Sequence, residues 1–205
     1  NQLNYPAYFL DFETINAAIP PYDNSKPYDD IPFQYVLHLF KKEGSKPQEY
    51  TYLSKSKKDP RKDILSQLSR IISNQGSIVA YFSDFEKRVL DRATEAFPEY
   101  RAWFKCIENN FLDLYEPFKN FYYYNPSQQG SNSLKSVLPA VTGRDYSGLD
   151  IKNGSEASIK YYNVTLKEEL EDREKAKIYN ELEKYCRLDT EGMVDIIGRL
   201  KDLIV

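Results

Sequence analysis

Three widely separated acidic motifs carry the chemistry this chain could do. Asp11 and Glu13 stand in Asp-Phe-Glu-Thr, directly after the apolar run Ala7-Tyr8-Phe9-Leu10. Glu86 follows Phe85 shortly after Ile78-Val79-Ala80, and Asp189 closes the run Tyr185-Cys186-Arg187-Leu188-Asp189. Carboxylates from a first strand, a strand-to-helix junction and a late helix can converge on divalent cations. Such a set suits two-metal phosphodiester cleavage.

Each motif has a plainer reading beside the chemical one. Residues i and i+2 of a strand face one side, so Asp11 and Glu13 project together and Phe12 faces the opposite layer. Two carboxylates this close repel unless a proton or cation intervenes, and hard cations prefer oxygen ligands. The alternative is a strand end with two solvated acids. Asp84 or Glu86 can serve as the second acid; equally, Asp84 can cap the helix and Glu86 can favour its N-terminal dipole. Tyr185 and Asp189 share a helix face at i and i+4, as would a packed Tyr beside an exposed Asp. The three motifs in this order, each on a suitable element, make coincidence a poor account.

The elements that must position them follow from periodicity. Residues 7–12, 33–40 and 49–53 read as strands, with a Pro-rich loop over 17–32 and a short turn over 41–46. Asp59-Pro60 opens a helix bearing Ile64, Leu65, Leu68, Ile71 and Ile72, closed by Asn74-Gln75-Gly76. Residues 77–82 read as a fourth strand. A helix follows from about Asp84, burying Phe85, Val89, Leu90, Ala93 and Phe97, and Pro98 starts another through Trp103. Residues 111–114 read as a fifth strand and 122–132 as a loop. Ser133 caps a short helix ended by Pro139, and residues about 167–203 form a charged helix weakly broken at Gly192. This order predicts an α/β layered fold.

Composition narrows the classes. At 205 residues the chain is expected to form one domain, long enough for a sizeable core. Because it starts at Asn1 without Met, it reads as a piece of a longer protein, with other domains of that protein as partners. A net charge of −3 supplies no bulk attraction to nucleic acid, so any contact needs a local basic patch. Cys106 and Cys186 fit no zinc spacing or disulfide framework, which points to a reduced, cytoplasmic setting. No signal peptide or membrane-length apolar run is evident, so no membrane partner is expected.

The order Asp-x-Glu, then Phe-Glu after a strand, then Tyr-x-x-x-Asp resembles the DEDD 3′→5′ exonuclease superfamily in its Tyr-bearing subgroup. The chain's one histidine, His38, falls in a predicted strand far from the third motif and reads as structural. Further runs resemble the bacterial domain of unknown function 2779, a ribonuclease-H-like nuclease relative. They include Leu112-Asp113-Leu114-Tyr115-Glu116-Pro117-Phe118, the segment from Gly130 to Ala140, and Asn153-Gly154-Ser155-Glu156-Ala157. This resemblance covers nearly the whole chain. It implies a ribonuclease-H-like fold, a mixed five-stranded sheet with helices on both faces.

The resemblance also implies an activity: metal-dependent hydrolysis of single-stranded DNA or RNA from the 3′ end. Asp11, Glu13, Glu86 and Asp189 would hold two Mg²⁺ or Mn²⁺ ions, and Tyr185 would orient the attacking water. One departure stands out, since the superfamily usually places Asp where this chain has Glu86; Glu86 is preferred to Asp84 because it directly follows Phe85. The alternative is a catalytically weak or inactive nucleic-acid-binding or interaction module retaining the fold. Phe12 and Thr14 are candidates to hold the terminal nucleotide. Ser133 and Lys135 can contact phosphate at a helix start, Ser133 serving equally as a plain N-cap. Tyr122, Tyr123 and Tyr124 can stack on bases, although a half-buried loop anchor is the preferred reading. Asp113 reads as a structural acid.

Overall fold

Alternation along the first apolar run builds both halves of the core. In the computed structural model, which describes residues 3–167 and 170–203, strand β1 spans Ala7–Ile15. Ala7, Phe9 and Ile15 enter one buried cluster, and Tyr8, Leu10 and Phe12 enter the other. Asp11 and Glu13 therefore lie on the Phe9 side, and Phe12 faces the opposite layer as a period of two requires.

Strand β2 (Ile31–Phe40) pairs antiparallel with β1, and β3 (Gln48–Leu53) pairs antiparallel with β2. On the other side of β1, β4 (Ser77–Ala80) and β5 (Phe111–Asp113) run parallel. The mixed five-stranded sheet has the order β3-β2-β1-β4-β5. Seven α-helices lie among the described residues: α1 (Arg61–Ile71), α2 (Ser83–Ala96), α3 (Arg101–Ile107), α4 (Glu116–Lys119), α5 (Leu134–Thr142), α6 (Gly154–Tyr161) and α7 (Asp172–Asp202). Leu65 and Leu68 of α1, Val89 and Leu90 of α2, and Phe104 of α3 cover one sheet face. Leu138 of α5, Tyr161 of α6 and Leu182 and Met193 of α7 cover the other. This is an α/β fold. None of the described helices is long and apolar enough to cross a membrane.

Several boundaries differ from those expected. The fourth strand stops at Ala80 rather than residue 82, because Phe82 takes a left-handed backbone (φ +69°) that ends the extended run. The helix then begins at Ser83, so Asp84 sits inside its first turn and is no cap. Phe85 and Phe97 are half-buried rather than buried. After a 3-10 turn over Pro98–Tyr100, α3 runs to Ile107, past Trp103. Pro139 does not end α5 but lies within it; the helix stops at Gly143, in the left-handed region at φ +79°.

The expected last helix over about 167–203 is α7, which starts later, at Asp172; Lys167 instead ends a π-helical turn over Tyr162–Lys167. Glu168 and Glu169 lie outside the described residues. Gly192 leaves α7 unbroken. A Cβ there would come within 2.9 Å of Leu138 Cδ2, so this glycine is a packing point between α5 and α7. Helix α6 was not anticipated, although Asn153 accepts a hydrogen bond from the Glu156 backbone N–H as its N-cap.

Three fixtures position β1, β4 and α7. Gly76 (φ +85°) precedes β4 so close to the chain before β1 that a Cβ would lie 1.8 Å from the Pro6 carbonyl oxygen. Buried Gln34, paired across from Glu13, donates from Nε2 to the Leu182 carbonyl at 3.0 Å and ties α7 to the sheet. Asp113 Oδ1 accepts from the backbone N–H groups of Phe82 and Tyr115, both at 2.9 Å. Asp113 is the structural acid expected of it, and it braces the turn between β4 and α2.

Candidate active site

β1 continues past Phe9, where its pairing with β4 ends, and a bulge follows between Glu13 and Thr14. β4 meanwhile turns away into α2. A cleft of about 470 Å³ opens at this divergence, lined by Asp11, Glu13, Glu86, Tyr185 and Asp189. All five residues expected to carry the chemistry thus meet in one place, from β1, α2 and α7. Sites commonly form where parallel strands end and neighbouring strands diverge.

Helical periodicity decides between Asp84 and Glu86. Glu86 lies on the stripe shared with Val89, Leu90 and Ala93, so α2 turns it inward; it is 2% exposed. Asp84 falls off that stripe and is exposed, outside the cleft. The same logic holds on α7, where Leu182, Tyr185, Asp189, Met193 and Ile196 form a buried stripe. An acid set in an apolar stripe is the legible signal at both positions.

The remaining expected contacts divide. Phe12 and Thr14 line the cleft, but the Phe12 ring is buried in the opposite core layer, edge-on to Tyr35. Lys135 reaches inward from α5, and its Nζ donates to Tyr185 Oη at 2.7 Å and to the Lys152 carbonyl at 2.6 Å. Ser133 is not brought to the cleft. Its hydroxyl pairs with those of Ser131 and Ser136, and it gives the helix no side-chain cap. Tyr122 is 83% exposed and so is no half-buried anchor, whereas Tyr123 packs edge-on against Phe118. His38 is buried and pairs with Glu49 across β2 and β3, away from the cleft.

Four neighbours of the site were not foreseen. Tyr146, on the loop between α5 and α6, donates its hydroxyl hydrogen bond to Asp189 Oδ1. That loop is closed by Lys152, whose Nζ donates to the carbonyls of Tyr146, Ser147 and Leu149. The Cys186 thiol donates to Asp11 Oδ2 at 3.4 Å. Asp30 adds a fifth acid to the cleft wall, paired with Arg88 at 3.2 Å. Gly154, at the start of α6, approaches Glu13: a Cβ there would lie 3.6 Å from Glu13 Oε2. Two had a sequence signal: Cys186, beside Tyr185 and three residues before Asp189, and Gly154, within the run Asn153-Gly154-Ser155-Glu156-Ala157.

The electrostatics of this cluster are unfavourable to ionised acids. Burial raises the Asp11 carboxyl well above its usual range, and the charge of Asp189 adds to it. Glu13 rises through burial and then through Asp11 and Asp189. Glu86 rises through burial and then Asp11. Asp189 is raised to about 6 by burial, against the opposing effects of the Tyr146 hydrogen bond and Lys135. Burial and the nearby carboxylates push the Tyr185 hydroxyl upward, so it keeps its proton. Burial lowers Lys135, against the pull of Asp189 and Glu13.

These features fit hard divalent cations. Glu86 Oε2 is buried without a hydrogen-bond partner, and Glu13, 5% exposed, receives no hydrogen bond among the described residues. Buried carboxylate oxygens left unpaired are costly, and a cation bound between them removes both that cost and their repulsion. The donor set is mainly carboxylate oxygen, suited to Mg²⁺ or Mn²⁺.

Comparison with known proteins agrees with a shared ancestry but brings no activity with it. The family described as domain of unknown function DUF2779 matches residues 8–133. The uncharacterized protein MG366 of Mycoplasma genitalium is 27% identical over all of this chain and 33% of its own length. The uncharacterized MG366 homolog of Mycoplasma pneumoniae is 29% identical over 96% of this chain and 32% of its own length. The chain thus spans about a third of the length of the curated relatives it matches. No solved structure gives a significant match.

Proposed function

The chain belongs to the DUF2779 family, and we propose from its acidic cleft that it is a metal-dependent nuclease, a 3′→5′ exonuclease on single-stranded DNA or RNA. The observation that carries this reading is the convergence of Asp11, Glu13, Glu86 and Asp189, with Tyr185, from three separated elements. The mixed sheet with helices on both faces supports the ribonuclease-H-like fold that the motif order implies.

Asp11, Glu13, Glu86 and Asp189 would hold two Mg²⁺ or Mn²⁺ ions. Such ions, when bound, make a water a stronger nucleophile at neutral pH and stabilise the leaving oxygen. Tyr185 keeps its hydroxyl proton and orients rather than accepts a proton. Lys135 fixes the Tyr185 oxygen and offsets part of the carboxylate charge. Tyr146 holds Asp189 Oδ1 and so fixes the carboxylate that would take a cation. Thr14, on the cleft wall beyond the bulge, would contact the terminal nucleotide. The product is a nucleoside monophosphate.

The deciding experiment is degradation of end-labelled single-stranded DNA and RNA with Mn²⁺, Mg²⁺ or EDTA, beside Asp11→Ala and Asp189→Ala. Metal-dependent laddering from the 3′ end, lost in both variants, establishes the activity and chooses the sugar. Absence of cleavage by folded protein with both metals turns the assignment to a nucleic-acid-binding or interaction module. Glu86, one methylene longer than the superfamily's usual Asp, would then be the first residue to revert.

A further inference from the structure

We propose that Cys186 gives the acidic cleft a second mode of cation binding, in which one thiophilic divalent ion of the Zn²⁺ or Co²⁺ class is held by Asp11, Glu13 and the Cys186 sulfur. This inference rests on the nuclease reading for its consequence but on separate atoms for its geometry. Ligand atoms of Asp11, Glu13 and Cys186 all lie within 4.8 Å of one another. Cys186 Sγ and Asp11 Oδ2 are 3.4 Å apart. Two ligands of a tetrahedral zinc, one sulfur and one carboxylate oxygen, are separated by about 3.5 Å, given the usual bond lengths. The pair therefore already has the spacing of one edge of such a site. Glu13 is an independent pointer. It is 95% buried by its 5% exposure, lies on the same side of β1, and its carboxylate receives no hydrogen bond among the described residues.

Why a thiol should stand here follows from the chemistry of the alternatives. As a neutral donor, Cys186 orients Asp11 and leaves the carboxylates free for hard ions. Mg²⁺ and Mn²⁺ prefer oxygen and gain little from sulfur. A thiophilic ion gains a strong third ligand, and binding replaces the S–H bond with a sulfur–metal bond, releasing the thiol proton to solvent. No electron is transferred. The two modes share Asp11 and Glu13, so they exclude each other. A soft ion would therefore switch the cleft off by occupying the position the hard ions need.

The test uses the chain in a Cys106→Ser background, since Cys106 is an exposed thiol that could bind cobalt itself. Co²⁺ is titrated while the near-ultraviolet thiolate-to-cobalt charge-transfer absorption is read, and Mn²⁺ binding is read separately by electron paramagnetic resonance. The expected result is a saturable charge-transfer band at one Co²⁺ per chain, its loss in Cys186→Ser, and displacement of bound Mn²⁺ by stoichiometric Zn²⁺. Mn²⁺ binding together with Co²⁺ binding that shows no charge-transfer band overturns the inference and leaves the nuclease reading standing. Failure to bind either ion overturns both. The Cys106→Ser protein with Cys186 intact decides these outcomes, so they do not depend on the Cys186→Ser variant folding.

Discussion

The Lys135 ammonium lies 2.7 Å from the Tyr185 hydroxyl oxygen and 4.7 Å from the centre of the same ring. A lysine from α5 thus sets the angle of the one phenol that α7 presents to the acidic cleft. Its charge is also partly desolvated among carboxylates, which makes it a positioning residue for the proposed reaction. Lys135→Met should lower kcat by about 10²-fold, the scale expected from misplacing a reacting group by about 1 Å. Lys135→Arg should recover part of the loss. Single-turnover rates at saturating strand and Mn²⁺ check this, and an unchanged kcat in Lys135→Met removes Lys135 from the mechanism.

Tyr146 supports Asp189 through a hydroxyl hydrogen bond. Tyr146→Phe keeps the ring and removes that bond. Partners of ligand residues typically contribute about 10- to 100-fold to metal affinity, so Mn²⁺ affinity should fall within that range. Calorimetric titration of both proteins measures it directly; equal affinities would mean that Asp189 needs no such support.

The raised carboxyls make stability depend on pH in a definite direction. Asp189 rises from 3.8 to about 6, and Asp11, Glu13 and Glu86 rise as well, all chiefly through burial. Between the unfolded and folded values the native state holds more protons than the unfolded chain, so unfolding free energy falls as pH rises. The contribution is fully present below about pH 4 and is lost as pH climbs through 6 and beyond. In EDTA, the urea midpoint should therefore drop between about pH 5 and about pH 8. Asp189→Asn should flatten that slope, and saturating Mn²⁺ should reverse it. A midpoint that rises with pH in EDTA contradicts the clustering of these acids.

Gly76 joins the chain before β4 to Pro6, where the backbone leaves no room for a side chain. Gly76→Ala combines a left-handed φ of +85° with a clash against a main-chain oxygen. The substitution should destabilise by more than about 1 kcal/mol. Chemical denaturation measures the loss, and a stability equal to that of the parent would show that the β1–β4 junction yields easily.

Local periodicity was enough for much of the site. The period of two put Asp11 and Glu13 on one side of β1, and the helical repeat put Tyr185 and Asp189 on one face of α7. The choice of Glu86 over Asp84 was also readable, because only Glu86 shares the stripe of Val89, Leu90 and Ala93. These are relations within one element, and regular backbone geometry transmits them over a few residues. Boundaries failed where long-range contacts overrode local signals. Asp113 helps hold Phe82 left-handed from 31 residues away, and Gly192 lies within an unbroken α7 where the side chain of Leu138 approaches it closely.

The arrival of Tyr146 at Asp189, of Lys135 at Tyr185 and of Cys186 at Asp11 was decided only in three dimensions. Those pairs are separated by 43, 50 and 175 residues. Their meeting depends on how α5, α7 and the loop before α6 stack on the sheet. No local period encodes that stacking, because it is set by the packing of buried side chains across layers.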